Sequence, residues 1–440
     1  MEKVKIQSLD KNYSANIFVK RPEKYRELKE ISDRYEKMIP MGSCSSYVPA
    51  SFCNDNLSIL MTKFNKIIEF DKVNKTITVE AGIKISELLQ FTLKNKLWIP
   101  QIPGYPSITL GGIVATNAHG KSSAFHGTIR QQIKEILIYH KTHGWLNLSK
   151  DENKKIFDLT IGGFGLTGTI VQVKLKLEDF IGYNFKTSLI KTNSLIDTIN
   201  NFNEENKEVY QYSWNRSDNI TNLGKGFIFK NEINSIENSS VDTRGLYHDT
   251  NKLESNFKFN LWNNFTIKFS QFLYYNFHLQ RKDKVLFENF KKIIFPFSGK
   301  EMYFKMFGRN GLIESQIIVP AKKINQIIDE IEFNLKKELP EITLLSIKKI
   351  KGECNYLRFE NDGFCITFDF VRNKKSLNFM ENLDLICQNN QLIPSIIKDS
   401  RLRLNTIKIC YNAYDQFKKD LNEFDNRRIY RSQLSDILEL

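Results

Sequence analysis

The chain has 440 residues, 41% of them hydrophobic and 26% charged, with a net charge of +14 and a pI near 9.2. At roughly 100–200 residues per domain this predicts two or three domains, and the composition is that of a globular rather than a disordered or fibrous chain. The charged start MEKVKIQSLDKNYS has no signal pattern, no apolar run approaches the ~18 residues of a spanning helix, and zinc spacing, basic heptads and RNA-binding aromatic signatures are missing.

These absences predict a cytoplasmic protein that neither spans a membrane nor binds nucleic acid. The positive charge admits two readings. Either the lysines form a solvated coat in a chain rich in Lys, Asn and Ile, or they attract an anionic partner such as a phospholipid surface or a phosphorylated substrate. The six cysteines, Cys44, Cys53, Cys354, Cys365, Cys387 and Cys410, form no CxxC pair and predict reduced thiols. The histidines form no HExxH pattern, so no metal is implied.

In chain order, Lys66–Phe70 and Thr76–Ala81 read as two strands around a turn at Lys72–Lys75. Ser86 is a candidate cap for a short helix carrying Leu88, Leu89 and Leu93. A glycine-rich segment follows, then a strand at EILIYH, a turn at Thr142–Gly144 and a short helix over Asn153–Leu159. Thr169–Glu178 alternates: Val171, Val173, Leu175 and Leu177 face one way, Gln172, Lys174, Lys176 and Glu178 the other, the pattern of a half-buried strand.

After about Phe180 glycine becomes sparse and Asn, Lys and aromatics dominate. The segment Phe257–Gln280 carries Trp262, Phe265, Phe269, Phe272, Leu273, Tyr274 and Phe277. It reads either as a helix covering a second domain or as an interfacial helix meeting lipid or a lipid-like substrate. Gly311–Val319 predicts a strand stopped by Pro320. A helix over Ala321–Lys337 places Ile324, Ile327, Ile328, Ile331 and Leu335 on one face. Strands at Thr343–Lys351 and Phe364–Val371 and a helix at Leu377–Cys387 complete an antiparallel sheet with helices on one side.

Three turn-rich pieces carry the chemistry: PMGSCSSYV at Pro40–Val48, PGYPSITLGGIVATNAHGK at Pro103–Lys121, and GGFGLTG at Gly162–Gly168. Glycine permits φ > 0 and close backbone approach, and successive N–H groups in such turns make concave sites for phosphate oxygens. Gly42–Tyr47 and Gly111–Gly112 are therefore expected to offer donors to a pyrophosphate. Gly163-Phe-Gly165-Leu-Thr-Gly168 matches GxGxxG formally. That fingerprint needs a strand before it and a helix after it, and here the order is reversed, so a Rossmann site is not expected.

These three pieces, with TIGGFGLTGTIVQVKLKLE extending the last, resemble the FAD domain of the vanillyl-alcohol-oxidase superfamily, the PCMH-type FAD-linked oxidases. HGK at His119–Lys121 and IKDSR at Ile397–Arg401 are most similar to its decaprenylphosphoryl-ribose oxidase branch. The Trp214 neighbourhood, FGRNGLIESQIIVP at Phe307–Pro320, DGFCITFDF at Asp362–Phe370 and the terminal RSQLSDILEL agree. The resemblance implies an α+β fold: a two-lobed PCMH-type FAD-binding domain over residues 1–177, an inserted antiparallel-sheet cap domain for substrate over 178–390, and a segment 391–440 returning to the FAD domain.

It also implies FAD-dependent oxidation of a secondary alcohol of an activated or lipid-linked sugar, as the first half of an epimerisation. A short-chain reductase partner would complete that epimerisation, with peripheral contact at the inner face of the membrane. By resemblance FAD would be lined by Pro40, Met41, Gly42, Ser43, Cys44, Ser45, Ser46, Tyr47, Gly104, Thr109, Leu110, Gly111, Gly112, Asn117, His119, Gly120, Lys121, Ser122 and Ile170. Covalent members carry a linking histidine where this chain has Ser45, and no histidine precedes His119, so the flavin is expected to be non-covalent.

Lys398, Lys349, Gln316 and Tyr47 match catalytic positions. Lys121, Gln316, Lys349, Cys365 and Thr367 fall on the substrate side. Cys44 stands where glycine is usual, Val48-Pro49 where Gly-Asp is frequent, Glu314 where glutamine is expected, and Thr367 in place of a substrate-side cysteine. These departures leave open an aldonolactone or other carbohydrate oxidase, and a non-catalytic subunit that keeps the fold.

Overall fold

The computed structural model describes residues 3–180, 182–203, 206–234 and 259–440. Phe257 and Lys258, at the start of the aromatic segment, lie outside the described residues.

Among the described residues the N-terminal half holds two larger sheets and a two-stranded pair, Leu97–Trp98 with Glu178–Asp179. The first orders Val4–Gln7, Ser14–Lys20, Leu57–Leu60 and Met38–Met41 side by side, with the last two pairings parallel. The second is antiparallel, in the order Ile67–Asp71, Thr76–Glu80, Thr169–Lys176, Ile133–His140, Gly144–Ser149. The expected alternation holds from Val173 on, with Val173, Leu175 and Leu177 buried in one core while Lys174 pairs with Glu135 at 3.3 Å near the surface, but Val171 departs from it and is buried in a different core. A register shift between Ile170 and Gln172 interrupts the ladder. Such a bulge re-aims a side chain, and Ile170 is turned into the central cleft while Val171 packs on Met38 and Tyr139.

Two local expectations are corrected. The helix after the second hairpin is Ile85–Lys94 with Lys84, not Ser86, at the N-cap. The Ile85 and Ser86 amides are tied to the Ile108 and Pro106 carbonyls, so the neighbouring loop sets where the helix begins. The glycine-rich segment is not all loop: Leu110–Ala115 is a short helix, capped by the Thr109 side chain accepting from the Gly112 amide.

Two further four-stranded antiparallel sheets form the other half. One orders Val209–Asn215, Gly226–Asn234, Asn184–Thr192 and Leu286–Asn289. The other orders Ile342–Ile350, Gly363–Val371, Leu312–Val319 and Ile393–Pro394. They meet edge to edge: Ser346 Oγ donates to the Ser213 carbonyl at 2.6 Å, and the Ile347 amide to Ser213 Oγ at 2.9 Å. Helices Ile324–Glu338 and Lys374–Asn390 cover the back of the second sheet, burying Ile327, Ile331, Phe379 and Met380 against Ile347, Phe368 and Phe370. Pro320 ends its strand as expected, and one 3-10 turn, Ala321–Lys323, precedes the helix.

The segment after residue 391 bridges both halves. Ile393–Pro394 pairs with Leu312–Val319. Farther on, the Ile429 carbonyl accepts from the Met38 amide at 2.9 Å, and the Gln433 amide donates to the Phe52 carbonyl at 2.8 Å. No described helix is long and apolar enough to cross a membrane.

Candidate active site

Between the halves lies a cleft of about 390 Å³. One wall is the loop Pro40–Tyr47, with every residue from Pro40 to Tyr47 on its surface. Cys44 takes φ +53°, the left-handed conformation glycine usually supplies, so a cysteine here is accommodated at the cost of backbone strain. A Cβ on Gly42 would run into Thr109 Oγ1, the helix-capping atom. Ser43 Oγ holds the loop to the Ser107 carbonyl at 2.6 Å, and the Leu9 amide holds the Ser46 carbonyl at 2.8 Å. Among the described residues the amides of Ser43 to Tyr47 donate to no protein acceptor. Five consecutive amides without a protein acceptor, on residues that border the cleft, fit the pyrophosphate of FAD.

The second expected cradle behaves differently. Gly104, Thr109, Gly111, Gly112, His119, Gly120 and Lys121 border the cleft. The Gly111 amide, however, donates to the Ala81 carbonyl at 2.7 Å and the Gly112 amide to Thr109 Oγ1. Their role is close packing against the cleft, not donation. Leu110, Asn117 and Ser122 lie behind the wall. Leu110 is buried with its amide on Ile83, Asn117 Nδ2 donates to Glu360 Oε2 at 2.9 Å, and Ser122 Oγ to the Pro100 carbonyl at 2.6 Å. They brace the loops that do line the cleft, because a buried polar group needs an internal partner.

The opposite wall is one face of the cap sheet. Side chains alternate along a strand, so the cross-strand register decides the set. Glu314 pairs with Asp369 and Gln316 with Thr367; Leu344, Ser346 and Lys348 lie opposite Asp369, Thr367 and Cys365 on the other side. All of these except Cys365 border the cleft. Lys349 does not: it points to the other face, where its Nζ donates to the Phe202 and Asn203 carbonyls. Lys348 is the lysine this strand presents to the site. Cys365 is fully buried one step beyond Thr367, its Sγ 4.0 Å from Thr367 Oγ1, and burial raises its thiol pKa.

Lys398 enters from the C-terminal segment. Its Nζ sits 4.1 Å from the Tyr47 ring centroid and 3.2 Å from Glu314 Oε1, the oxygen that Gln316 Nε2 donates to at 2.6 Å. Gln316 Oε1 is buried beside His119, whose ring interacts with the Gln316 side chain. Burial, then Glu314 and Asp369, hold the Tyr47 phenol well above its ordinary pKa. Asp369 is pushed up to about 8, first by burial and then by the Glu314 charge; Tyr303 OH donates to its Oδ2 at 2.6 Å. Burial, with Lys348 and Lys398, holds His119 well below 6.5. The Lys348 ammonium donates to His119 Nδ1 at 2.7 Å, which places the neutral ring's proton on Nε2. Lys121, 3.9 Å from the Tyr212 ring, is pushed down to about 7 by burial and then by Lys348.

The wall groups Lys348 and Asp369, and Tyr303 behind Asp369, are not marked by any sequence motif, and Glu314 stands there only as a departure. Parity could have found two of them. If Gln316 and Thr367 face the site, Glu314 and Asp369 two residues away do so too. In ITLLSIKKI the apolar residues fall on both parities, so the choice between Lys348 and Lys349 is not legible. Gly120, between His119 and Lys121, has no room for a side chain: a Cβ would collide with the Ile102 carbonyl. Gly120→Ala is expected to lower stability by about 1–3 kcal/mol, read by equilibrium denaturation. A wild-type midpoint would contradict the close approach.

The arrangement is a pyrophosphate-sized donor loop facing a polar sheet, the two-sided site of a flavin enzyme with an inserted cap. Residues 17–144 match the family model described as FAD binding domain. The chain is an FAD-dependent oxidoreductase acting on CH–OH groups, FAD is its cofactor, and its site resembles that of the PCMH-type superfamily. It is similar to decaprenylphosphoryl-beta-D-ribose oxidase of Mycolicibacterium smegmatis, with 23% identity over 92% of this chain and 89% of that protein. It is also similar to L-gulonolactone oxidase of Scyliorhinus torazame, 27% identical over 35% of each chain. D-arabinono-1,4-lactone oxidase of Debaryomyces hansenii is 28% identical over 27% of this chain and 21% of that protein. The α+β architecture agrees with this superfamily.

Proposed function

We propose that the chain oxidises a secondary alcohol of a polyprenyl-phosphate-linked pentose to a ketone, with a non-covalent flavin. The observation that carries the reading is the pair of neighbouring lysines Lys121, on the glycine-rich segment, and Lys348, on the cap sheet, which border the same cleft as Lys398. A cationic subsite suits a phosphorylated sugar. The similarity to an oxidase named for decaprenylphosphoryl ribose, over nearly the whole chain, supports the same class. Ser45 in the first loop, with no histidine there, supports a flavin held without a covalent bond.

Bound FAD supplies the two-electron acceptor for the hydride that leaves the carbinol carbon. The protein does the rest. Lys398 donates to the hydroxyl oxygen, and the hydroxyl proton passes into the Lys398–Glu314 pair as the C–H bond breaks. Gln316 borders the cleft beside Thr367, and neutral His119, held by Lys348 and next to Gln316, keeps that side chain oriented toward the sugar. A ketone product calls for a reductase that returns it as the epimeric alcohol, the expected partner. A lactone oxidase is the second reading, favoured by the partial matches to aldonolactone oxidases, whose substrates need no phosphate subsite.

The test is an absorbance spectrum of the purified protein, before and after acid precipitation, followed by anaerobic substrate addition. Flavin bands released into the supernatant, and bleached by a polyprenyl-phosphoryl pentose but not by an aldonolactone, are expected. Bleaching by the lactone alone would move the assignment to the second reading. Pigment remaining in the pellet would overturn the non-covalent link.

A further inference from the structure

The helix Asn264–Leu279 is built with two unlike faces. Ile267, Gln271 and His278 are buried. Gln271 anchors the helix to both cap sheets, accepting from the Ser217 amide at 2.8 Å and donating to the Ile342 carbonyl at 2.9 Å. The other face holds Phe265, Phe269, Phe272, Leu273 and Phe277, which are 76%, 55%, 53%, 49% and 53% exposed. At 100° per residue these five span an arc of roughly 140° with no charged residue inside it. Phe265 and Phe269 stack with nearly parallel rings in solvent. Phe259, Leu261 and Met302 nearby are exposed as well. Scattered apolar residues on a surface need no explanation, but a contiguous aromatic row does.

The flanks are cationic. Lys268 borders the arc on the helix, and Arg281, Lys282 and Lys284 follow its end, against one exposed acid, Asp283. Arg281 lies over the Phe277 ring at 4.8 Å. A residue just before the helix ties its start to the cleft wall. Trp262 Nε1 donates to the Tyr303 carbonyl at 3.0 Å, and the adjoining Phe304 and Phe297 line the cleft wall.

We infer that this helix is a bilayer-docking surface: the aromatic row enters the headgroup–acyl boundary of an anionic membrane while the flanking cations meet its lipid phosphates. The commitment to a bilayer rests on charge complementarity within a chain of net charge +14 and on the tie between the helix start and the cleft wall. Its purpose, delivering a lipid-linked sugar to the site without leaving the membrane, rests on the proposed function; the surface itself does not.

The test uses the full-length, flavin-loaded protein and no substrate, so its failure is separable from that of the proposed reaction. Wild type is expected to co-sediment with vesicles of phosphatidylcholine containing phosphatidylglycerol, less well in high salt and less well with phosphatidylcholine alone. The triple variant Phe265→Ser/Phe269→Ser/Phe272→Ser should partition at least about tenfold less, with unchanged far-UV circular dichroism and flavin content. A second variant, Lys268→Glu/Lys282→Glu/Lys284→Glu, should lose the preference for anionic vesicles. Wild type that ignores both vesicle types, or that self-associates through this face without binding them, overturns the inference. So does a triple variant that binds like wild type.

Discussion

Lys398→Met is expected to retain its flavin and to lose about 10²–10³-fold in the rate of flavin reduction by substrate. A positioned group that handles the reacting proton contributes about 10²–10⁴-fold. The geometry leaves no neighbour to take over: Lys398 is the cation held between the Tyr47 ring and Glu314, while Lys348 is engaged with His119 and the Gly120 carbonyl. The measurement is an anaerobic stopped-flow trace of flavin bleaching, with flavin content checked by absorbance. Loss of the side chain also leaves Glu314 without its cation, so Lys398→Arg should recover part of the rate if the charge is what matters. A Lys398→Met rate within tenfold of wild type would remove Lys398 from the chemistry.

Lys121→Met should instead act on binding. Removing a buried charged donor from a phosphate costs about 2 kcal/mol, which is a ~30-fold rise in KM with kcat little changed. A dephosphorylated sugar alcohol should be indifferent to the change. The pH dependence has a defined sign. The free enzyme's Lys121 is pushed down to about 7, so it is charged below pH 7 and increasingly neutral above it. A bound phosphate favours the charged form, so binding takes up a proton above pH 7. KM for the phosphorylated substrate should rise there by up to about tenfold per pH unit, and the slope should vanish in Lys121→Met. A KM that is flat from pH 6 to 9 in wild type would show that Lys121 does not meet the phosphate.

Much of the fold was legible because its signals are local. The alternation of Thr169–Glu178, the apolar stripe Ile324–Leu335 and the stop at Pro320 each depend on residues within one or two turns of each other. The loops that border the cleft were legible because glycine, serine and proline mark where backbone can come close to a ligand. The reversed order around Gly163–Gly168 correctly ruled out a Rossmann reading, since the structure puts helix Lys154–Thr160 before that turn and a strand after it.

The sequence by itself determined the class of cofactor, the half-buried strands and the helices behind the cap sheet, since period and turn chemistry are written along the chain. Only the tertiary structure decided which polar side chains meet. Lys348 rather than Lys349, Glu314 beside Asp369, and Tyr303 on Asp369 follow from cross-strand register and from a segment folded back on the sheet. The Gly111 and Gly112 amides, which look free in a glycine-rich stretch, are consumed by Ala81 and Thr109 once the chain has closed on itself. A hydrogen bond between residues far apart leaves no period in the sequence, and a one-residue change of parity turns a strand's whole polar set to the other face.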